Sequence, residues 1–150
     1  MADYAGAEAA IRGRLEGNWT TTRIAFLNED PPEPWPPVDD AGQTQPWVFL
    51  EVECFDAPIV GGGRPGNHVF RYEGLIAVHV FTPVGTGTHL GKQYAVTIGE
   101  IFRRETFYNE TSGHAVRTED PFPAGGNSKS EDGLWFVCTM TCPFVYWHRG

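Results

Sequence analysis

The sequence has no lysine or arginine between Ile24 and Gly63, a stretch that carries eight acids. The remaining residues contain as many acids as bases, so the formal net charge of −8 arises entirely in this segment. Nucleic-acid binding requires clustered cations that displace counterions, and we therefore do not expect it. A surplus of acids is otherwise typical of a well-solvated surface.

Long apolar runs and paired cysteines are also missing. No run of about 18 apolar residues occurs, which argues against a membrane-spanning helix. The first residues, MADYAGAEAAIRGRLEG, lack the basic start and apolar run of a secretory signal. The chain has three cysteines, and an odd number without such a signal predicts reduced thiols. On one strand Cys138 and Cys142 would lie about 13 Å apart, too far for a disulfide, so both are expected in the core.

Catalytic motifs are not evident. The chain contains no G-x-S-x-G and no H-E-x-x-H, and its glycine-rich stretches at residues 61–66 and 125–126 precede no predicted helix. No histidine pairs with another histidine, a cysteine or an acid at metal-ligand spacing on a predicted helix. We therefore expect no enzymatic activity, no cofactor and no metal.

Hydrophobic periodicity predicts an α+β fold in a single domain over residues 1–150. Apolar spacing predicts helices over residues 2–16 and 88–102 and strands over residues 21–26, 47–55, 68–82, 104–108, 114–118 and 134–147. Neighbouring strands favour a mainly antiparallel sheet with both helices on one face. Gly74 predicts a bulge, and Pro143 predicts that the last strand lies at an edge or leaves the ladder there.

Two loops separate these elements, at residues 28–45 and 119–133. The first contains five prolines and five acids, with Trp35 between two prolines. A stiff loop can present an aromatic side chain to a partner, or that side chain can pack on its own domain. The sequence leaves both readings open.

Strand alternation predicts a second sheet face that the two helices cannot cover. Its expected aromatic and apolar members are Trp47, Phe49, Phe55, Leu75, Phe81, Trp135 and Trp147, beside Glu51, Glu53, Arg71 and His79. Large exposed apolar patches mark interfaces. We therefore expect a subunit or partner interface that includes Trp35, Trp47, Phe49, Arg71, Phe81, Trp135 and Trp147.

The order of elements resembles the tail terminator proteins of long-tailed (siphovirus-like) phages and gene transfer agents. The matching segments are IRGRLEGNW, TTRIAF, the acidic NEDPPEPWPP, PWVFLEVEC, VFRYEGLIAVHVFTPVGTG, GKQYAVTIGEIFRR and the closing CPFVYW. None of these segments is a catalytic motif.

The resemblance implies a structural virion protein of the tail or neck, assembled in the bacterial cytoplasm. It implies a homo-oligomer, a hexameric ring that caps the tail tube, stops its elongation and offers a docking surface to the head connector or stopper. DNA would pass through the lumen. Because acids repel phosphates, we expect some of the following to face the lumen or an axial surface: Glu29, Asp30, Glu33, Asp39 and Asp40.

Two alternatives remain at this level. The chain is either a different neck or tail protein, such as a head–tail stopper or a tube subunit, or a small ligand-binding or enzymatic α+β domain. In the second case the open face would line a pocket with Arg71, Glu73 and His79 as its polar groups. Tube subunits polymerise, whereas a terminator keeps one ring size.

Overall fold

The structure, a computed structural model, describes residues 2–124 and 128–150 and confirms the α+β prediction. Its elements in chain order are α1 (Tyr4–Asn18), β1 (Arg23–Phe26), β2 (Trp47–Asp56), β3 (Ile59–Gly61), β4 (Val69–Pro83), α2 (His89–Phe102), β5 (Thr106–Phe107), β6 (Ala115–Thr118), β7 (Phe122–Pro123), β8 (Ser128–Lys129) and β9 (Trp135–Arg149). Residues 125–127, inside the predicted second loop and including the glycines at 125–126, lie outside the described residues. No helix within the described ranges is long and apolar enough to cross a membrane.

One mixed, mostly antiparallel sheet contains all nine strands. Its main order is β1-β2-β4-β9-β6-β5, with β3 beside β4 and with β7 and β8 beside β9. The antiparallel pair of β4 and β9, 15 residues each, forms its centre. β1 runs parallel to β2. Parallel neighbours need a long crossover, and the proline-rich loop between them provides it.

The core lies between the two helices and one face of the sheet. In β4 and β9 alternate residues point to this face, and Ile76, Val78, Met140 and Phe144 are almost fully buried there. The helices contribute buried residues at helical spacing, Ala7, Ile11 and Leu15 from α1 and Ala95, Ile98 and Phe102 from α2. α1 begins two residues later than predicted because the Asp3 carboxylate accepts a hydrogen bond from the Gly6 N–H and caps it.

A bulge occurs near Gly74, as predicted, but the extra residue is in the neighbouring strand β2 and not in β4. The register between β2 and β4 shifts between Cys54 and Asp56, across from Gly74. A Cβ at Gly74 would lie 2.2 Å from the Glu53 carbonyl oxygen and 2.7 Å from the Phe144 ring. Glycine is required here because strand and ring approach too closely for any side chain.

The expectation for Pro143 is wrong, because β9 continues through it to Arg149 while paired with β4. The Pro143 carbonyl accepts a hydrogen bond from the Glu119 N–H on the side away from β4. In an antiparallel ladder the N–H and C=O of one residue point to the same neighbour. The missing N–H of Pro143 therefore faces the gap between β6 and β7, and the central ladder loses no bond.

Candidate functional site

Neither helix covers the second face of the sheet, and we call this face the open face. The strand registers place Trp47, Phe49 and Glu51 of β2 beside Phe81, His79 and Ala77 of β4, and these beside Val137, Thr139 and Thr141 of β9. The open-face residues of β2 and β4 remain partly exposed, whereas the opposite face is closed by helices. The prediction that these side chains share one face is confirmed by the registers.

Four aromatic residues form one end of this face, which we call the aromatic end: Trp35, Trp47, Phe81 and Trp135. The rings of Trp47 and Phe81 stack with centroids 4.0 Å apart and planes 2° from parallel. Trp35 and Trp135 both approach Trp47 edge-on, at 4.9 Å and 5.9 Å. Trp135 is only 4% exposed, so its own chain already buries it.

The proline-rich loop folds back to build this end. The Arg23 guanidinium donates to the carbonyl oxygens of Pro32 and Pro34 and lies 4.9 Å from the Trp35 ring. Trp35 thus packs between Arg23 and Trp47, which favours the second of the two readings for this side chain. A groove of about 480 Å³ between this loop and residues 130–132 keeps the aromatic end accessible. The Trp47 Nε1 atom is buried and has no hydrogen-bond partner among the described residues.

A hydrogen-bonded cluster around His79 lies in the middle of the open face. His79 Nδ1 is 2.8 Å from Thr139 Oγ1, and His79 Nε2 is 3.1 Å from Glu51 Oε2. The three side chains come from three neighbouring strands, and the Phe49 ring lies beside the imidazole at 6.2 Å. This arrangement fixes the imidazole on the sheet surface and joins the strands by side-chain contacts.

A charged cavity of about 670 Å³ forms the opposite end, which we call the arginine end. Its lining includes Arg71, Glu73, Arg104, Arg117, Glu119 and Trp147. Arg71 is 2.8 Å from Glu73 and lies over Trp147 at 5.9 Å, while its buried Nε lacks a partner among the described residues.

The other two arginines of this cavity differ in their partners. Arg104 contacts Asp120 through two nitrogens, at 2.9 Å and 2.7 Å, and this contact lowers the pKa of Asp120. Arg117 is exposed and makes no side-chain hydrogen bond or ion pair with any residue in the described ranges.

The proline-rich loop at residues 28–45, which we call the acidic segment, follows β1 at the other edge of the sheet and contains five acids. Three of its carboxylates are engaged within the chain. Glu29 is 2.8 Å from Arg12, Glu33 accepts the Trp35 N–H, and Asp39 accepts the N–H groups of Ala41 and Gln43.

The remaining two acids of this segment are exposed. Neither Asp30 nor Asp40 has a side-chain partner among residues 2–124 and 128–150. Asp30 lines a groove beside β1.

The structure divides the predicted interface residues into groups. Trp35, Trp47, Phe81 and Trp135 meet at the aromatic end, Phe49 lies beside His79, and Arg71 meets Trp147 at the arginine end. The pocket predicted around Arg71, Glu73 and His79 is not assembled as expected, because His79 contacts Thr139 and Glu51 instead. No group of three His, Cys, Asp or Glu in the described part of the chain is arranged for a metal.

Sequence reasoning missed Arg104, Arg117 and Thr139. Arg117 alternates with the buried Val116 and Thr118, which indicates an outward side chain. Arg117 lines the same cavity as Arg71 because β6 pairs with β9, and no local pattern predicts that pairing.

Comparisons with known proteins add little to this description. No protein-family model matches the chain, and no curated protein matches it. Among solved structures, one chain has 18% sequence identity and a TM-score of 0.47, with 93% of this chain and 94% of that chain covered. Its designation states no function, and at this TM-score the likeness supports no assignment.

Proposed function

We propose that the chain is a structural subunit that assembles with copies of itself into a ring, as a tail terminator of a phage or gene transfer agent. In that role a hexameric ring caps the tail tube, stops its growth and receives the head connector, while DNA passes through the lumen. The order of elements that resembles this family supports the finer assignment. The subunit itself catalyses no reaction.

The uncovered face of the sheet is the observation that carries the proposal. It extends across β2, β4 and β9 and leaves Trp47, Phe49 and Phe81 partly exposed. Contiguous apolar surface of this kind is typical of protein interfaces. Aromatic residues and arginine are also the types that contribute most to binding free energy.

The two edges of the sheet differ, which suits a ring. β1 and its acidic loop form one edge, and the two-residue β5 with the arginine end forms the other. Rings form by heterologous contacts in which one surface of each copy meets a different surface of the next. Acids on a lumen wall would in addition disfavour DNA retention.

Solution mass at several concentrations tests this function. We expect the wild-type chain to form one discrete species, a hexamer, either alone or in the presence of tube ends. Phe49→Asp places a charge on the open face and should shift this species to monomer by at least about tenfold in dissociation constant. Val96→Asp is the control, since Val96 is an exposed apolar residue on α2, on the other side of the sheet.

Each other outcome is also informative. A chain that stays monomeric at all concentrations, both alone and with tube ends, contradicts the proposal. Filaments of variable length would instead favour a tube subunit. Because Phe49→Asp could unfold the chain, circular dichroism accompanies the mass measurement, and Phe49→Ala provides a milder variant expected to weaken assembly in the same direction.

A further inference from the structure

We propose that the arginine end of one copy binds the acidic segment of the next copy, with Arg117 facing Asp30 and Asp40. The pairing rests on the proposed ring function and names the contact that would close the ring. In this arrangement Asp30 and Asp40 lie in a subunit interface, so acids that face the lumen would have to be other residues.

The two surfaces lie at opposite edges of one sheet. Asp30 lines the groove beside β1, the first strand of the sheet order. Arg117 is paired with Thr106 of β5, the last strand of that order. A copy with complementary surfaces at opposite edges can contact two neighbours at once, and repetition of this contact around an axis gives a closed ring.

The free charges on these surfaces are opposite in sign. Asp30 and Asp40 are exposed and unpaired within the described chain, whereas Glu29, Glu33 and Asp39 are engaged. In the cavity lining Glu73 pairs with Arg71, Arg104 pairs with Asp120 outside the lining, and Glu119 is also present. The cavity is therefore not uniformly positive. Recognition depends on one specific donor, the exposed guanidinium of Arg117.

The shape of each surface suits the pairing. The cavity is open and about 670 Å³ in volume, enough for a few side chains. Prolines follow Asp30 directly, so this part of the segment is stiff and loses little conformational entropy on binding. Arginine can hold a carboxylate through two parallel hydrogen bonds. The Trp147 ring in the cavity wall offers an apolar surface for the flanking prolines.

A charge-swap experiment tests the pairing. One copy carries Arg117→Glu and the other carries Asp30→Arg with Asp40→Arg. A ring made of either variant alone would have like charges at every contact. The dissociation constant of its assembly should therefore rise by at least about tenfold. An equimolar mixture should restore the ring with alternating copies, because every contact then joins opposite charges. Native mass spectrometry distinguishes this mixed ring, since its two kinds of copy differ in mass.

Matched controls separate a specific pairing from a general charge effect. Lys92→Glu makes the same charge change as Arg117→Glu on α2, in the helix layer, and should leave assembly unchanged. The neutral variants Arg117→Gln and Asp30→Asn with Asp40→Asn should weaken assembly less, and their mixture should not restore it. Circular dichroism checks that every variant is folded.

The outcomes distinguish the pairing from the function on which it rests. If the wild-type chain forms a ring while the mixture fails to recover, the ring stands and the pairing is overturned. A ring that is unaffected by either swap overturns the pairing as well. If the wild-type chain forms no ring, alone or with tube ends, the proposed function fails and the pairing fails with it.

Discussion

Adjacent residues of β9 meet two different environments. On the covered face Cys142, Phe144 and Tyr146 are at most 1% exposed and pack against helices. On the open face Val145 and Trp147 are half-buried. One face therefore supplies the stability of the subunit, and the other remains available for contacts with other molecules. A single strand serves both roles because its side chains alternate.

The largest expected effect contrasts two neighbours on this strand. Phe144→Ala removes a fully buried ring and should lower the free energy of unfolding by about 3–5 kcal/mol. Val145→Ala removes half-buried atoms from the open face and should cost about 1 kcal/mol or less. Chemical denaturation of both variants measures the contrast. Equal losses would show that the open face carries as much of the subunit's stability as the core.

A smaller effect concerns the aromatic end. Trp47→Ala removes the stacked contact with Phe81 and two edge contacts, and should lower the free energy of unfolding by about 2 kcal/mol. Phe55→Ala is the matched control, because Phe55 is 64% exposed and should change stability by no more than about 0.5 kcal/mol. If Trp47→Ala proves as mild as its control, the aromatic end does not stabilise the isolated subunit.

Over the first pH unit above 9, the smallest effect is a pH dependence that belongs to the covered face. Burial raises the pKa of the Cys142 thiol to about 11 from 9.0, and burial raises the pKa of Tyr146 to about 12 from 10.0. The unfolded chain loses these protons first, so the free energy of unfolding should fall as pH rises above about 9.

Denaturation across this pH range measures the slope. Cys142→Ala should flatten it between the two thiol pKa values. Cys54→Ala, at an exposed thiol, should leave it unchanged. An identical slope in Cys142→Ala and the wild-type chain would contradict the assignment to this buried thiol.

The fold was largely predictable because its main signals are local. Alternation in β4 and β9 assigned Ile76 and Phe144 to the core face, and helical spacing located α2 almost to its ends. The parallel alignment of β1 was not predictable, since it depends on how a proline-rich crossover returns. The alternation of apolar residues placed Leu134 in the last strand, but Leu134 precedes β9 and is 62% exposed.

The candidate site was predictable only in part. The alternation of side chains along each strand predicts that Trp47 and Phe81 share one face, and the structure confirms this. Registers between strands far apart in sequence determine the contacts of His79 with Thr139 and Glu51. They also determine that Arg117 and Arg71 line one cavity. Such registers are set by packing of the whole domain, and no single segment encodes them.

The position of β9 in the sheet order has a kinetic consequence. β9 lies between β4 and β6 and comes last among the described elements, so the two halves of the sheet share no strand until it is added. Contacts between residues distant along the chain are slow to form during folding. A nascent chain without β9 lacks Trp147 and leaves Arg71 and Arg117 in separate halves of the sheet, so its arginine cavity is incomplete. Premature docking between growing copies is thereby disfavoured.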